Sequence, residues 1–326
     1  MADLMVLAGG KPLGVKGLAF IKGLKLKELE GEEIPAPVLP RVIILEVIGY
    51  EFHQKLAQMV EQLFCRPYSP SDTFSIVTPA GVYSFSSDSL RTRLPDELMR
   101  AASTILKRDL PASGATEVEI IQELTRLVQE LQQGSPPREI LRQYQQNLDN
   151  LNNHRKFNAD PIMAAASHFS KARAIKHYVI VYQQEFVPIR GADMMEKLLA
   201  NQSVMFQASE LFRSIAADTS VEVDPLAEEM KKARLIVNFI YFKVSPRPRP
   251  DIQLRELSTD KFELYSRLAS LSGGLAVSST SPEAQLKKIL ESTENYYLIS
   301  CELPERDFDR PAASKYSPLP WILCPG

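Results

Sequence analysis

The chain has 326 residues, 44% of them apolar and 24% charged, ordinary proportions for a globular protein with a sizeable core. Its 38 basic and 40 acidic side chains leave a formal net charge of -2, which gives no electrostatic case for nucleic acid or an anionic membrane as main partner. No apolar run approaches the roughly 20 residues of a membrane-spanning helix.

Cys65, Cys301 and Cys324 are far apart, and an odd number at these spacings makes neither a closed disulfide framework nor a metal-ligand pair. The four histidines, His53, His154, His168 and His177, form no zinc-type cluster, so no cofactor is expected. The start, MADLMVLAGG, has no basic segment leading into a long apolar one, so no signal peptide is visible. The compartment stays open: cytoplasmic as the chain stands, extracytoplasmic if a leader was removed.

Residues 1–37 hold short apolar pieces, Leu4–Leu7 and Leu24–Leu26, and predict a few strands or turns. Arg41–Gly49, RVIILEVIG, is apolar on both faces and β-branched, the mark of a central strand in a covered sheet. His53–Cys65 carries Leu56, Met59, Val60, Leu63 and Phe64 at helical spacing. Thr73–Thr78 and Val82–Phe85 flank Pro79-Ala80-Gly81 and predict a hairpin.

A helical insertion is expected over residues 92–155. Glu117–Gln132 lines up Val118, Ile121, Leu124, Leu127, Val128 and Leu131; Gly134-Ser135-Pro136-Pro137 breaks the pattern; Arg138–Asn152 resumes it with Ile140, Leu141, Tyr144, Leu148 and Leu151. An amphipathic stripe must bury against something. It either folds onto the domain's own flank or presents Leu124, Leu127, Leu131, Leu141, Tyr144 and Leu148 to another chain.

Pro161–Lys171 predicts a helix with Asp160 as its cap. His177–Val187 reads as a second buried strand, Met194–Ala217 and Pro225–Ala233 as helices, and Leu235–Val244 as a third strand before the Pro-rich loop Ser245–Pro250. Lys261–Ser272 is a helix stopped by Gly273-Gly274. Leu275–Ser278 is a short strand, Ser281–Asn295 a helix and Tyr296–Leu303 a last strand. From Pro304 the tail carries Pro311, Pro318, Pro320 and Pro325 and is expected to run extended. Strands alternating with helices predict a doubly wound, mostly parallel sheet, one antiparallel edge strand and helices on both faces.

The segment Phe262–Leu303, FELYSRLASLSGGLAVSSTSPEAQLKKILESTENYYLISCEL, resembles the closing part of bacterial von Willebrand factor A domains, and Leu235–Phe242, LIVNFIYF, resembles the strand before it. The likeness covers roughly residues 38–303 and rests on element order and short patterns. It implies an A-like domain over 38–303, with 1–37 as an extension and 304–326 as a tail. In the family, an Asp-x-Ser-x-Ser motif, a Thr and a later Asp hold a divalent cation. The resemblance places Glu46-Val47-Ile48-Gly49-Tyr50 on the first motif, Asp160 on the Thr and Gln183 on the later Asp. Ile48 offers no oxygen, Tyr50 is too bulky, and a hard cation needs several oxygen ligands in tight geometry. The site is therefore expected to be degenerate. Glu46, Tyr50, Asp160, Gln183 and Glu185 remain as a residual binding surface at the top of the sheet, with no metal expected.

Lys243, Arg247, Arg249 and Arg255 form a small basic patch without interleaved aromatics, favouring a solvated loop over an RNA contact. No phosphate loop or nucleophile elbow occurs. The expected function is that of a non-enzymatic, protein-binding scaffold subunit. The alternatives are metal-dependent adhesion and an enzyme with its chemistry on the inserted helices.

Overall fold

The computed structural model describes residues 6–8, 11–22, 25–28, 40–49, 51–64, 72–172, 174–189, 205, 222–246, 252–292, 296–302 and 321–325. The chain divides into two compact units, one of Met1–Leu39 with Lys288–Gly326, the other Pro40–Lys287. The first begins with strands β1 (Val6–Ala8), β2 (Lys11–Lys22) and β3 (Lys25–Glu28).

In the second unit the elements run β4 (Arg41–Ile48), α1 (Gln54–Phe64), β5 (Thr73–Thr78), β6 (Gly81–Phe85), α2 (Ser87–Thr92), α3 (Pro95–Ser113), α4 (Ala115–Gln132), α5 (Pro137–His154) and α6 (Asp160–Phe169). They continue through β7 (Ile175–Gln183), β8 (Phe186–Ile189), α7 (Asp224–Ala233), β9 (Leu235–Phe242), β10 (Gln253–Glu256), α8 (Thr259–Ser272), β11 (Ala276–Ser279) and α9 (Pro282–Ser292), whose last residues enter the first unit.

Six strands form one sheet in the order β11-β9-β7-β4-β5-β6. All neighbours are parallel except β5 and β6. This is the expected doubly wound α/β architecture with one antiparallel edge strand, and its order reverses between β4 and β7, where such sheets open a crevice at their carboxyl ends. Alternation along the strands sends Val42, Ile44, Tyr178, Ile180, Tyr182, Val237, Phe239 and Tyr241 into one apolar cluster with α6, α7 and α8. Toward the other face, Phe64 of α1 meets Phe74 and Phe85 edge-on, and α3 packs on α1 and β5. All five apolar positions read for α1 are buried. α8 ends where Gly273 turns left-handed at φ 81°, and a Cβ on Gly274 would lie 1.9 Å from the Val237 carbonyl oxygen.

Several expectations need correction. The run His177–Val187 is two strands: β7 stays in the sheet, and β8 leaves it to pair antiparallel with β10. β10, sequence QLRE, carries no apolar pattern and was not foreseen. Tyr296–Glu302 is β12, and it lies in the first unit, pairing antiparallel with β2 and with β13 (Trp321–Pro325). Part of the tail expected to run extended is thus a paired strand. Met194–Ala217 lies outside the described residues apart from Met205, as does Cys65.

Candidate functional site

The carboxyl ends of β4 and β7 bring part of the anticipated surface together. Ile48 sits opposite Tyr182 in register. A Cβ on Gly49 would fall 2.3 Å from Gln183 Oε1, so a larger residue there would have to displace the Gln183 side chain. Gln183 is buried, and its Oε1 has no hydrogen-bond partner among the described residues. Tyr50 lies outside the described residues.

Glu46 is paired in register with Ile180 and Val77 and is 7% exposed. By strand alternation it shares the face of Val42 and Ile44. The buried Tyr178 hydroxyl approaches it without completing a hydrogen bond. Burial pushes the Glu46 carboxyl up to about 7, with Tyr178 pulling weakly the other way. Around them, Tyr265 contacts Tyr182, Phe157 and Phe239 at ring distances of 5.8, 5.7 and 5.2 Å, an environment that favours the uncharged acid.

Glu185 is committed elsewhere. Arg155, just past the end of α5, donates its Nε to Glu185 Oε2. Its Nη2 donates to the Leu257 carbonyl at 3.0 Å and to Asp260 Oδ1 at 3.1 Å. Burial raises the Glu185 pKa, and Arg155 opposes it. Burial works against the Arg155 charge, yet Glu185, Tyr182 and Asp260 hold its pKa above the usual value. Lys261 Nζ is 3.5 Å from Asp260, so the cluster balances two cations against two carboxylates.

A second hydrogen-bond network interlocks beside it. Gln184 Nε2 donates to Glu256 at 2.8 Å, and its Oε1 accepts from the Val244 N–H. Ser258 Oγ accepts from the Glu185 N–H at 3.1 Å and lies 2.5 Å from the Tyr241 hydroxyl.

Asp160 stays apart. It is exposed, and among the described residues no hydrogen bond or ion pair joins its side chain to Glu46, Gln183 or Glu185. It is also not the helix cap. Ala159 holds that position, and Asn158 Oδ1 accepts the Asp160 N–H at 2.9 Å. Replacing Asn158 with alanine should therefore cost about 1 kcal/mol in a denaturant titration, the net worth of one such hydrogen bond, whereas Asp160→Asn, which leaves that bond intact, should cost less.

The anticipated partner-binding stripe is also corrected. Leu124, Leu127, Leu131, Leu141, Tyr144 and Leu148 are 0–7% exposed. They close on each other and on Val187 and Ile252 in a core of their own. The stripe is covered within the chain. Sequence reasoning missed Arg155, Ser258, Asp260 and Lys261, since none stands in a spacing that announces it; of the basic patch, Arg247 and Arg249 lie outside the described residues.

Among the described residues no three His, Cys, Asp or Glu side chains gather as a metal cluster, and no helix is long and apolar enough to cross a membrane. No family model matches the chain, and no curated protein does. Among solved structures the chain is similar to an aerotolerance-related membrane protein from Bacteroides fragilis carrying multiple mutations to serines. The identity is 10% over 78% of this chain and 98% of that one, with a TM-score of 0.36. So distant a likeness says nothing of this chain's activity.

Proposed function

We propose that this chain is a non-enzymatic, protein-binding subunit of a larger assembly, built on a metal-free A-like domain. The observation that carries the reading is the chemistry at the carboxyl edge of the sheet. Ile48 is packed against the core and offers no donor atom. Glu46 faces an aromatic interior that favours its neutral form. Glu185 is already engaged by Arg155. This donor set does not fit a hard cation, which needs several charged or carbonyl oxygens converging on one point. Nor does it pair a nucleophile with a base, the minimum for covalent chemistry. The chemistry of the described residues at this edge favours binding over catalysis, and the partner would be read by surfaces other than the covered insertion stripe.

Calorimetric titration with magnesium, manganese and calcium should show no site tighter than about millimolar. A micromolar site abolished by Glu46→Ala overturns the metal-free reading. In native extract the chain should elute from a sizing column well above its own mass, with or without a chelator. Elution as a monomer in both conditions overturns the assembly reading.

A further inference from the structure

Besides the apolar face covered by α1 and α3, the second unit holds two distinct apolar clusters. One is the sheet core with α6, α7 and α8. The other unites α4 and α5 with Val187 of β8 and Ile252 beside β10, and Ile189, Leu254 and Leu257 pack against it. The second cluster is internally well tied: Tyr144 donates its hydroxyl to the Pro188 carbonyl at 2.6 Å, and β8 pairs with β10 along four residues from Phe186–Glu256 to Ile189–Gln253.

Three chain crossings between this body and the sheet core pass through one ion cluster. The exit of α5 is at Arg155. The step from β7 to β8 is at Glu185. The step from β10 to α8 runs through Leu257, Ser258 and Asp260. Arg155, itself on the first, reaches the second through Glu185 and the third through the Leu257 carbonyl and Asp260. The crossings are also stitched by the Leu257 N–H on the Glu185 carbonyl at 3.0 Å and by Ser258 on the Glu185 N–H. Of the other crossings, that from α3 to α4 is the single residue Gly114, and those from β8 to α7 and from β9 to β10 run partly outside the described residues.

We infer that α4, α5 and the β8–β10 ribbon form an arm that opens from the sheet as one body, with the Arg155–Glu185–Asp260 cluster as its lock. Each body has its own apolar cluster, so among the described residues the ties to be broken are the ion cluster, its hydrogen bonds and those of Glu256 to Gln184 and Tyr241. Arg155, Glu185 and Asp260 have side chains 7%, 11% and 18% exposed. Losing the guanidinium removes the group that Glu185 and Asp260, both largely covered, share, a strong drive to open. Local opening in contiguous cooperative units is read directly by amide hydrogen exchange.

The test is native-state hydrogen exchange on the full chain. In Arg155→Met, amides of α4, α5, β8 and β10 should exchange faster as a group, by roughly 100-fold or more, the scale on which breaking a buried ion pair acts. Amides of β4, β5 and β9 should keep their rates. Should R155M fail to fold, Arg155→Lys, which keeps the charge and loses the fork, should give the same pattern at smaller amplitude. Equal acceleration in the arm and in the sheet shows a single cooperative body and overturns the inference. Unchanged exchange in the arm overturns the lock.

Discussion

Replacing Asp72 with alanine should cost about 3–5 kcal/mol of folding stability, the range for breaking a buried ion pair from one side. Asp72 stands at the amino end of the sheet, away from the candidate site. Its Oδ1 accepts the Arg41 backbone N–H at 2.9 Å, and its Oδ2 accepts Nε at 3.2 Å and Nη2 at 2.6 Å. The side chains are 3% and 2% exposed. Without the carboxylate, the buried guanidinium loses two charge-assisted hydrogen bonds and its counter-charge at Asp72. Its neighbour His177, whose pKa burial and the Arg41 charge hold down near 4, supplies no negative charge to replace it. The double variant Arg41→Met, Asp72→Leu should recover most of the loss, since a well-packed apolar pair replaces a buried ion pair at little cost. Urea titrations at pH 7 measure all three. A loss below about 1 kcal/mol for Asp72→Ala sinks the argument.

Much of the fold is legible where one local pattern suffices. Val42–Ile48 has no polar residue apart from Glu46, and only a covered central strand tolerates that. Gly273-Gly274 stops α8 because a left-handed residue and a bare Cα are both needed there. The failures share a different cause. Tyr178 to Val187 continues the apolar run across Gln184 and Glu185, and what divides β7 from β8 is a polar network with partners some 70 residues onward. β12 has an ordinary strand sequence, but its partner in register is Gly14–Ile21, far beyond any local window. Periodicity in α4 and α5 identifies the apolar face correctly and says nothing of what covers it. At the candidate site, Glu46 and Gln183 are placed by the strands that carry them. The Arg155 cluster joins three loops, and no spacing along the chain encodes such a meeting.

Glu46→Gln should stabilise the protein at pH 8 by about 3 kcal/mol, with the gain vanishing near pH 4.5. The Glu46 carboxyl has a folded-state pKa of about 7 against an ordinary 4.5, burial being the main cause. The sign follows from linkage. A group whose pKa is raised on folding binds its proton more tightly in the native state. Its favourable contribution is complete below pH 4.5, is lost as the pH climbs from 4.5 to 7, and becomes a fixed penalty above. At roughly 1.4 kcal/mol per pH unit, the gap between 4.5 and 7 amounts to about 3 kcal/mol. Glutamine has the same shape, carries no charge at any pH, and offers an N–H to the Tyr178 hydroxyl. Unfolding by denaturant from pH 4.5 to 8 gives the two stability curves. Wild type should fall relative to the variant through the interval and run parallel above it. Parallel curves throughout mean that Glu46 is not a buried neutral acid. A wild type more stable than the variant at pH 8, only when magnesium or calcium is present, means that the carboxylate is ionised and holds a cation. The same titration thereby tests the metal-free reading from the side of folding, independently of calorimetry.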